Sequence, residues 1–338
     1  MAGYASLITA VIAFGVTALL GFILIPVLRR LKLGQTIKEV GPTWHKNKQG
    51  TPVMGGLMFG TGILIAVAAG YLILKFSGTE NMADGTVTAE ARLWAGLFMA
   101  FAYGFVGFVD DYIKMVKKRN LGLNAKQKLV MQFLIAVAYL ACVYLAGDHS
   151  TIIPIPFIGQ WDLGWFYYPA MVFVIVGAVN AVNLTDGIDG LASSVTFVVG
   201  IAFIFICSLL NQAKMGLMAV ALAAGCVGFL VWNFHPAKIF MGDTGSMFLG
   251  GMVVALAFGV GNPVILVFVG IIYLIETISD ILQIGSFKLT GKRIFKMAPI
   301  HHHFEMSGWS ENKIVFVFSA ITLIFSALGV WSVYLSLN

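Results

Sequence analysis

The chain has 338 residues, of which 59% are hydrophobic and only 11% charged, and its mean hydropathy is strongly positive. A soluble globular domain carries about 25% charged residues, so this composition excludes one and points to a polytopic membrane protein. The formal charge of +6 does not make nucleic acid an expected partner, because in a membrane protein the sidedness of charge says more than its sum. The three cysteines, Cys142, Cys207 and Cys226, all lie in apolar runs. Their spacing suits neither a disulfide nor a zinc site, and they read as small buried hydrophobes.

About 20 residues at about 1.5 Å rise cross a hydrocarbon core about 30 Å thick. On that measure ten spans are predicted near 4–28, 55–75, 93–112, 127–146, 168–184, 191–210, 216–234, 246–261, 263–285 and 313–336. The first run is too long for a signal-peptide core and has neither a basic flank before it nor a clear cleavage site, so it reads as a retained span. Residues 148–168 (DHSTIIPIPFIGQWDLGWFYY) mix apolar residues with Pro, Gly and aromatics, which predicts a small extracellular hairpin with interfacial anchors. All but three of the 21 Lys and Arg fall in the loops after odd-numbered spans, the exceptions being Lys75, Arg92 and Lys214. By the positive-inside rule those loops are cytoplasmic and both termini extracellular. No soluble domain or linker interrupts the pattern, and residues 1–338 read as one integral membrane domain.

Polar residues gather at the same ends of these spans. Asp110 and Asp111 close span three; Asn183, Asp186 and Asp189 follow span five in NLTDGIDGLA; Asn233 and Asp243 follow span seven in WNFHPAKIFMGDTGS; His301, His302 and His303 follow span nine in MAPIHHHFE. Singly, each has a plain reading. An Asp at a helix end is usually a cap, three histidines can be a surface patch, and a basic loop is often a topology signal or a contact for anionic lipid. Four coincidences of depth and side argue against reading them singly.

Clustered carboxylates without Cys favour a hard, oxygen-seeking ion, Mg²⁺ rather than zinc. Successive helical side chains turn about 100°, so three adjacent histidines cannot all face one metal. One serves as metal neighbour or phosphate donor while the others point elsewhere. Lys114 lies three and four residues beyond Asp111 and Asp110, on nearly the same face, placed to pair with a carboxylate or bind a phosphate. Gly242 and Gly245 flank Asp243 and allow backbone N–H groups to approach a pyrophosphate. Cations, a divalent metal and ordered carboxylates are the parts that phosphoryl transfer needs, and their depth suits a lipid phosphate.

The stretches KQGTPVMGG (48–56), FVDDYIK (108–114), NLTDGIDGLA (183–192), FMGDTGS (240–246), ETISDILQ (276–283) and KRIFKMAPIHHHFE (292–305) carry a resemblance nearly end to end. The chain resembles the phospho-N-acetylmuramoyl-pentapeptide transferases, a branch of the polyprenyl-phosphate hexosamine-1-phosphate transferase superfamily. The DD, DGIDG and MGDTGS elements are shared with the superfamily, whereas the triple histidine is specific to the branch. The resemblance implies an all-α protein of ten transmembrane helices, a homodimer, and a cytoplasmic-facing cleft in a bacterial plasma membrane. It implies Mg²⁺-dependent transfer of phospho-MurNAc-pentapeptide from UDP-MurNAc-pentapeptide to undecaprenyl phosphate, with nucleoside inhibitors of the tunicamycin and muraymycin type as further ligands.

By motif position, Asp243 would be the Mg²⁺ ligand and Asp110 and Asp111 would handle the lipid phosphate. Uridine and diphosphate would meet Lys48, Asn183, Asp186, Asn233, Phe240, Gly242, Ser246 and Gln283, with Ala298, His301 and His302 nearby, and His301 would join Asp110, Asp111 and Asp243 as a catalytic residue. Lys114 and Lys126 would lie along the phosphate path. Asp189 and His303 join the set through the motifs that contain them. Two departures stand out: Val53 replaces a threonine of the usual GTPTMGG pattern, and Asp280 occupies a position expected to be apolar, one helical turn after Glu276. Rival readings are a GlcNAc-1-phosphate transferase of the same superfamily and a secondary transporter. The latter predicts ionisable groups near the bilayer midplane, where only Glu276 and Asp280 stand.

Overall fold

The computed structural model describes residues 2–31, 48–77, 85–117, 121–155 and 157–337. Lys32, Lys38, Lys46, Lys118 and Arg119, which contribute to the charge asymmetry, lie outside the described residues.

Twelve helices and one hairpin make up these residues: α1 (Ala2–Arg30), α2 (Gly56–Phe76), α3 (Val87–Val116), α4 (Ala125–Leu145), α5 (Tyr167–Thr185), α6 (Leu191–Leu209), α7 (Ala213–Asn233), α8 (Gly242–Gly259), α9 (Leu266–Val269), α10 (Ile271–Thr290), α11 (Ile300–Glu305) and α12 (Glu311–Ser336). Among the described residues nine helices are long and apolar enough to cross a membrane, or ten if a bent pair counts as one span. The bent pair corrects one boundary. The ninth predicted span is not continuous but breaks at Gly270, where Pro263–Val269 meets Ile271–Thr290 at 83°. A side chain at Gly270 would press on the Leu266 carbonyl, so this residue permits a turn that a uniformly apolar run does not announce. The predicted hairpin is present as strands β1 (Ile152–Ile155) and β2 (Gly159–Asp162), antiparallel, with Ile152 opposite Asp162 and Ile155 opposite Gly159.

Helix starts follow local capping chemistry. Asn124 accepts from the Gln127 N–H at 2.8 Å while the Gln127 side chain accepts from the Asn124 N–H, a reciprocal box that opens α4. The Ser310 hydroxyl accepts from the Lys313 N–H and opens α12. The centre of the bundle is α8, buried from Thr244 to Gly259 without interruption. Its small residues let neighbours approach backbone to backbone: a Cβ at Gly251 would stand 2.6 Å from Ala100 Cα on α3. In a bilayer, where apolar side chains gain little by leaving lipid, such close packing holds helices together. The α3–α8 contact therefore fixes the two helices that carry Asp110, Asp111 and Asp243.

Candidate active site

The C-terminal portions of α3, α5 and α7 and the N-terminal turns of α2, α4, α6, α8 and α12 share one end of the bundle, and the predicted carboxylates meet there. Asp110 and Asp111, both buried, face the half-buried Asp243. Lys114 reaches across the gap, its Nζ 2.5 Å from Asp110 Oδ2, 3.0 Å from Asp243 Oδ2 and 3.9 Å from Asp111 Oδ1. Lys128 Nζ adds a second contact to Asp243 Oδ2 at 3.0 Å, and Asn183 Nδ2 donates to Asp243 Oδ1 at 3.0 Å. The same amide nitrogen donates to Ser246 Oγ at 2.7 Å, and that hydroxyl donates to the Gly242 carbonyl. Asp110 Oδ1 accepts the Leu123 N–H at 2.7 Å. Asp111 Oδ2 accepts both the N–H and the hydroxyl of Thr244, at 2.9 and 2.7 Å.

Backbone contacts bring the distant stretches into register. The Phe240 N–H donates to the Pro52 carbonyl at 2.8 Å, and the Gly55 and Gly56 N–H groups donate to the carbonyls of Phe240 and Met241. Phe240 thus acts through its backbone, joining KQGTPVMGG to FMGDTGS. Gly242 has φ +70°, and a Cβ there would lie 2.5 Å from Asp111 Oδ2 and 2.7 Å from Val53 Cγ1. The Val53 departure therefore places a methyl group against this glycine.

One oxygen from each of Asp110, Asp111 and Asp243 falls within 4.8 Å of the others. The donors are all carboxylate, and three negative groups share two ammoniums. The set fits a hard divalent cation. Asp186, which follows the last turn of α5, is half-buried beside this cluster. Burial, and then the carboxylates of Asp243, Asp111 and Asp189, push its pKa up to about 8.

A second cluster lies next to the first. Asp189 Oδ1 pairs with Lys48 Nζ at 2.7 Å, while its Oδ2 accepts the Ala237 N–H and faces His235 Nδ1, both at 3.0 Å. Glu311 Oε2 accepts from Lys48 Nζ at 2.7 Å and from the Asp189 N–H at 2.9 Å. Asn233 ties the same region together. Its Oδ1 accepts the Gly190 N–H and its Nδ2 donates to the Ile239 carbonyl, so both ends of the amide are used inside the protein.

The histidines divide as their helical spacing requires. His301 is fully buried with Nδ1 3.0 Å from Glu276 Oε2, and its Nε2 sits where a Cβ on Gly187 would be. It acts as a wedge behind the DGIDG turn and does not join the three-aspartate cluster. His302 Nδ1 lies 2.6 Å from Glu305 Oε2, and His303 Nδ1 accepts the Lys296 N–H. Gln283 accepts from the Ile294 and Phe295 N–H groups and donates to the Phe295 carbonyl, clamping the segment that leads to half-buried Ala298. Asp280, one turn beyond Glu276, is half-buried and has no polar partner among the described residues.

Lys126 stands apart from Lys128. It is exposed and its ammonium has no partner among the described residues, whereas Lys128 touches Asp243. Two residues along a helix are about 200° apart, so the pair cannot face the same cluster.

The sequence profile described as Glycosyl transferase family 4 matches residues 93–261. A phospho-N-acetylmuramoyl-pentapeptide-transferase of Heliobacterium modesticaldum is 47% identical over 321 residues, covering 95% of each chain. Proteins of that name from Bacillus subtilis (46% identical, covering 96% of this chain and 97% of the relative) and Clostridium perfringens (48%, covering 93% of each) agree. The chain belongs to the phospho-N-acetylmuramoyl-pentapeptide-transferase family.

As a family member it is a transferase of peptidoglycan synthesis and a multi-pass bacterial membrane protein. The profile match contains Asp110, Asp111, Asp186, Asp189 and Asp243 but ends before Glu276, His301 and Glu311. Those three, with Lys128, Thr244 and His235, contact the residues of the candidate site or of the turn behind it. Lys128 was hidden by a more exposed neighbour, and Glu276 carried only its intramembrane charge as a signal. Glu311 gives no sequence signal of its own, since a carboxylate is favourable at any helix N-terminus.

Proposed function

We propose that this chain transfers phospho-MurNAc-pentapeptide from UDP-MurNAc-pentapeptide to undecaprenyl phosphate, releasing UMP and forming lipid I. The observation that carries this reading is the convergence of Asp110, Asp111 and Asp243 on Lys114 and Lys128 in a chain of this family. The bias of Lys and Arg toward the same loops supports a cluster facing the cytoplasm. Family membership supports a homodimer and the binding of nucleoside inhibitors.

Mg²⁺ is the proposed cofactor, held by Asp243 with Asp110 and Asp111 beside it. When bound it neutralises charge on the donor diphosphate. The protein's own groups do the rest. Lys114 and Lys128 offer positive charge to phosphate oxygens, and Asn183 and Ser246 hold the Asp243 carboxylate in place. In the proposed reaction an oxygen of the lipid phosphate attacks the β-phosphorus of the donor. The bond from that phosphorus to the bridging oxygen breaks, and UMP leaves with the oxygen. Asp110 is engaged at both oxygens, by the Leu123 N–H and by Lys114, and Asp111 Oδ2 is taken by Thr244. This favours positioning roles over a covalent phospho-aspartate. A phosphate with a second pKa of about 6 is largely dianionic at neutral pH and needs little help from a base.

The test uses purified protein in detergent with both substrates. UMP release should require undecaprenyl phosphate and a divalent cation, and should fail when UDP-GlcNAc replaces the pentapeptide donor. Turnover of UDP-GlcNAc at a comparable rate would reject the pentapeptide assignment. Labelled enzyme and a stoichiometric burst of UMP without lipid would reject direct displacement.

A further inference from the structure

We infer that Glu311, in the first turn of α12, is a positioning residue for the nucleotide-linked donor, an inference that rests on the transferase reading above. Ser310 caps α12 and sets the helix start, which directs the following carboxylate toward the DGIDG turn. Glu311 is 8% exposed. Its Oε2 takes the Asp189 N–H at 2.9 Å and Lys48 Nζ at 2.7 Å, and its Oε1 stands 3.5 Å from His235 Nδ1. Asp189 in turn holds Lys48, His235 and the Ala237 N–H. Two carboxylates therefore bind together the segment at Lys48, the 186–190 turn, the 234–241 loop and α12.

These groups could also suggest a second cation site, since Asp189, His235 and Glu311 approach one another closely. Lys48 Nζ, 2.7 Å from both carboxylates, already supplies the positive charge, so the arrangement is a clasp. The clasp is coupled to the reaction centre through the turn itself. Asp186 and Asp189 bracket Gly187 and Ile188, and Asn183, one turn earlier on α5, donates to Asp243. Its face toward water decides which substrate it serves. The Lys48 side chain is 18% exposed and His235 is 39% exposed. On the reading above, a soluble donor brings its diphosphate from that side, whereas the lipid phosphate is the substrate assigned to Asp110 and Asp111 on α3. Loss of Glu311 releases Lys48 from one of two anchors and frees the Asp189 N–H, which spoils donor placement and leaves the lipid side intact.

The test compares Glu311→Ala, Glu311→Gln, Lys48→Met and the Lys48→Met/Glu311→Gln pair in the full-length protein. UMP release is measured with each substrate varied in turn, alongside the thermal shift that UDP-MurNAc-pentapeptide causes without lipid. Glu311→Ala should raise the donor KM roughly tenfold or more and shrink the donor-induced thermal shift, with the lipid KM within about twofold of wild type. Glu311→Gln keeps an acceptor for the Asp189 N–H and should be milder. The double variant should be no worse than Lys48→Met alone, because the glutamine keeps the acceptor for the Asp189 N–H and the short charged contact it loses is the one to Lys48.

An equal change in both KM values overturns the inference. So does tighter donor binding, a double variant whose defects multiply, or a lower unfolding midpoint with unchanged kinetics in the protein that remains folded. If Glu311→Ala does not fold, the glutamine variant and the pair decide. Absence of UMP release from wild type rejects the transferase reading instead, and a donor-induced shift that Glu311→Gln weakens would still report the clasp.

Discussion

The two ends of α3 carry charge in opposite ways. At its N-terminal end Glu90 pairs with Lys214, with Tyr71 donating to the same carboxylate, and Arg92 pairs with Asp148 while reaching the Gly259 carbonyl. Among the described residues each acid there meets one cation. At its C-terminal portion Asp110, Asp111 and Asp243 share Lys114 and Lys128. Taking charge out of water costs several kcal/mol per ion unless it is compensated, so closed pairs are what a structural role requires. An unclosed set needs something else to complete it, and on the reading proposed above a divalent cation adds the positive charge that the two ammoniums leave short. On that reading the difference separates ion pairs that hold a helix from those proposed to do chemistry, although both sit in one polypeptide segment.

The sharpest way to break this comparison is to remove one charge at each end. Asp243→Asn should lower UMP release by about 100-fold or more, in the range seen when a preorganised electrostatic group is lost, with the protein still folded and monodisperse. Lys214→Met should act on stability instead. Lys214 is buried while Glu90 is 34% exposed, so the cost should lie between those of exposed and buried pairs, about 1–3 kcal/mol. It should appear as a lower unfolding midpoint with unchanged activity per folded molecule. A Lys214→Met protein with an Asp243→Asn-like activity defect would dissolve the distinction.

A smaller effect sharpens the same contrast through pH. Asp186 has its folded-state pKa raised to about 8 from a reference of 3.8. Between those values the folded state keeps a proton that the unfolded state releases, so the Asp186 contribution makes stability fall as pH rises through the window. In metal-free detergent solution, Asp186→Asn should flatten that part of the pH–stability profile. An unchanged slope would mean that neither burial nor the neighbouring carboxylates raise the Asp186 pKa.

The C-terminal end of α3 was legible in the sequence because its residue types are costly in an apolar chain and recur at one depth. Asp110, Asp111, Lys114 and Asp243 are such residues, and charge sidedness alone set them on one side. The N-terminal end was not, because Glu90, Arg92 and Lys214 look like ordinary loop-flanking charges until their partners from other helices are known. Contacts made by backbone were invisible for another reason: the link from Pro52 to Phe240 uses groups that every residue carries. The wedge of His301 behind Gly187 depends on an absent side chain, and the break at Gly270 on one glycine in a run that is otherwise uniformly apolar. Where chemistry is expensive the sequence advertises it. Where geometry does the work, it does not.

The smallest expected effect tests how finely the unclosed cluster is drawn. Lys126 and Lys128 both lie in the first turn of α4, behind the Asn124 capping box, and have the same charge at nearly the same depth. A diffuse basic patch that merely attracts anions would treat them alike, since at about 0.15 M salt exposed charges act over about 8 Å. A cluster of defined contacts would not. Lys128 Nζ is 3.0 Å from Asp243 Oδ2 while Lys126 faces away. Lys128→Met should therefore reduce UMP release by roughly tenfold or more, as the loss of a charged contact implies, while Lys126→Met should change it by less than about twofold. Equal losses at low salt that both vanish at high salt would mark the patch as diffuse. A loss confined to Lys128 and persisting in salt means that the register of α4, fixed by its cap, decides which lysine takes part in the reaction.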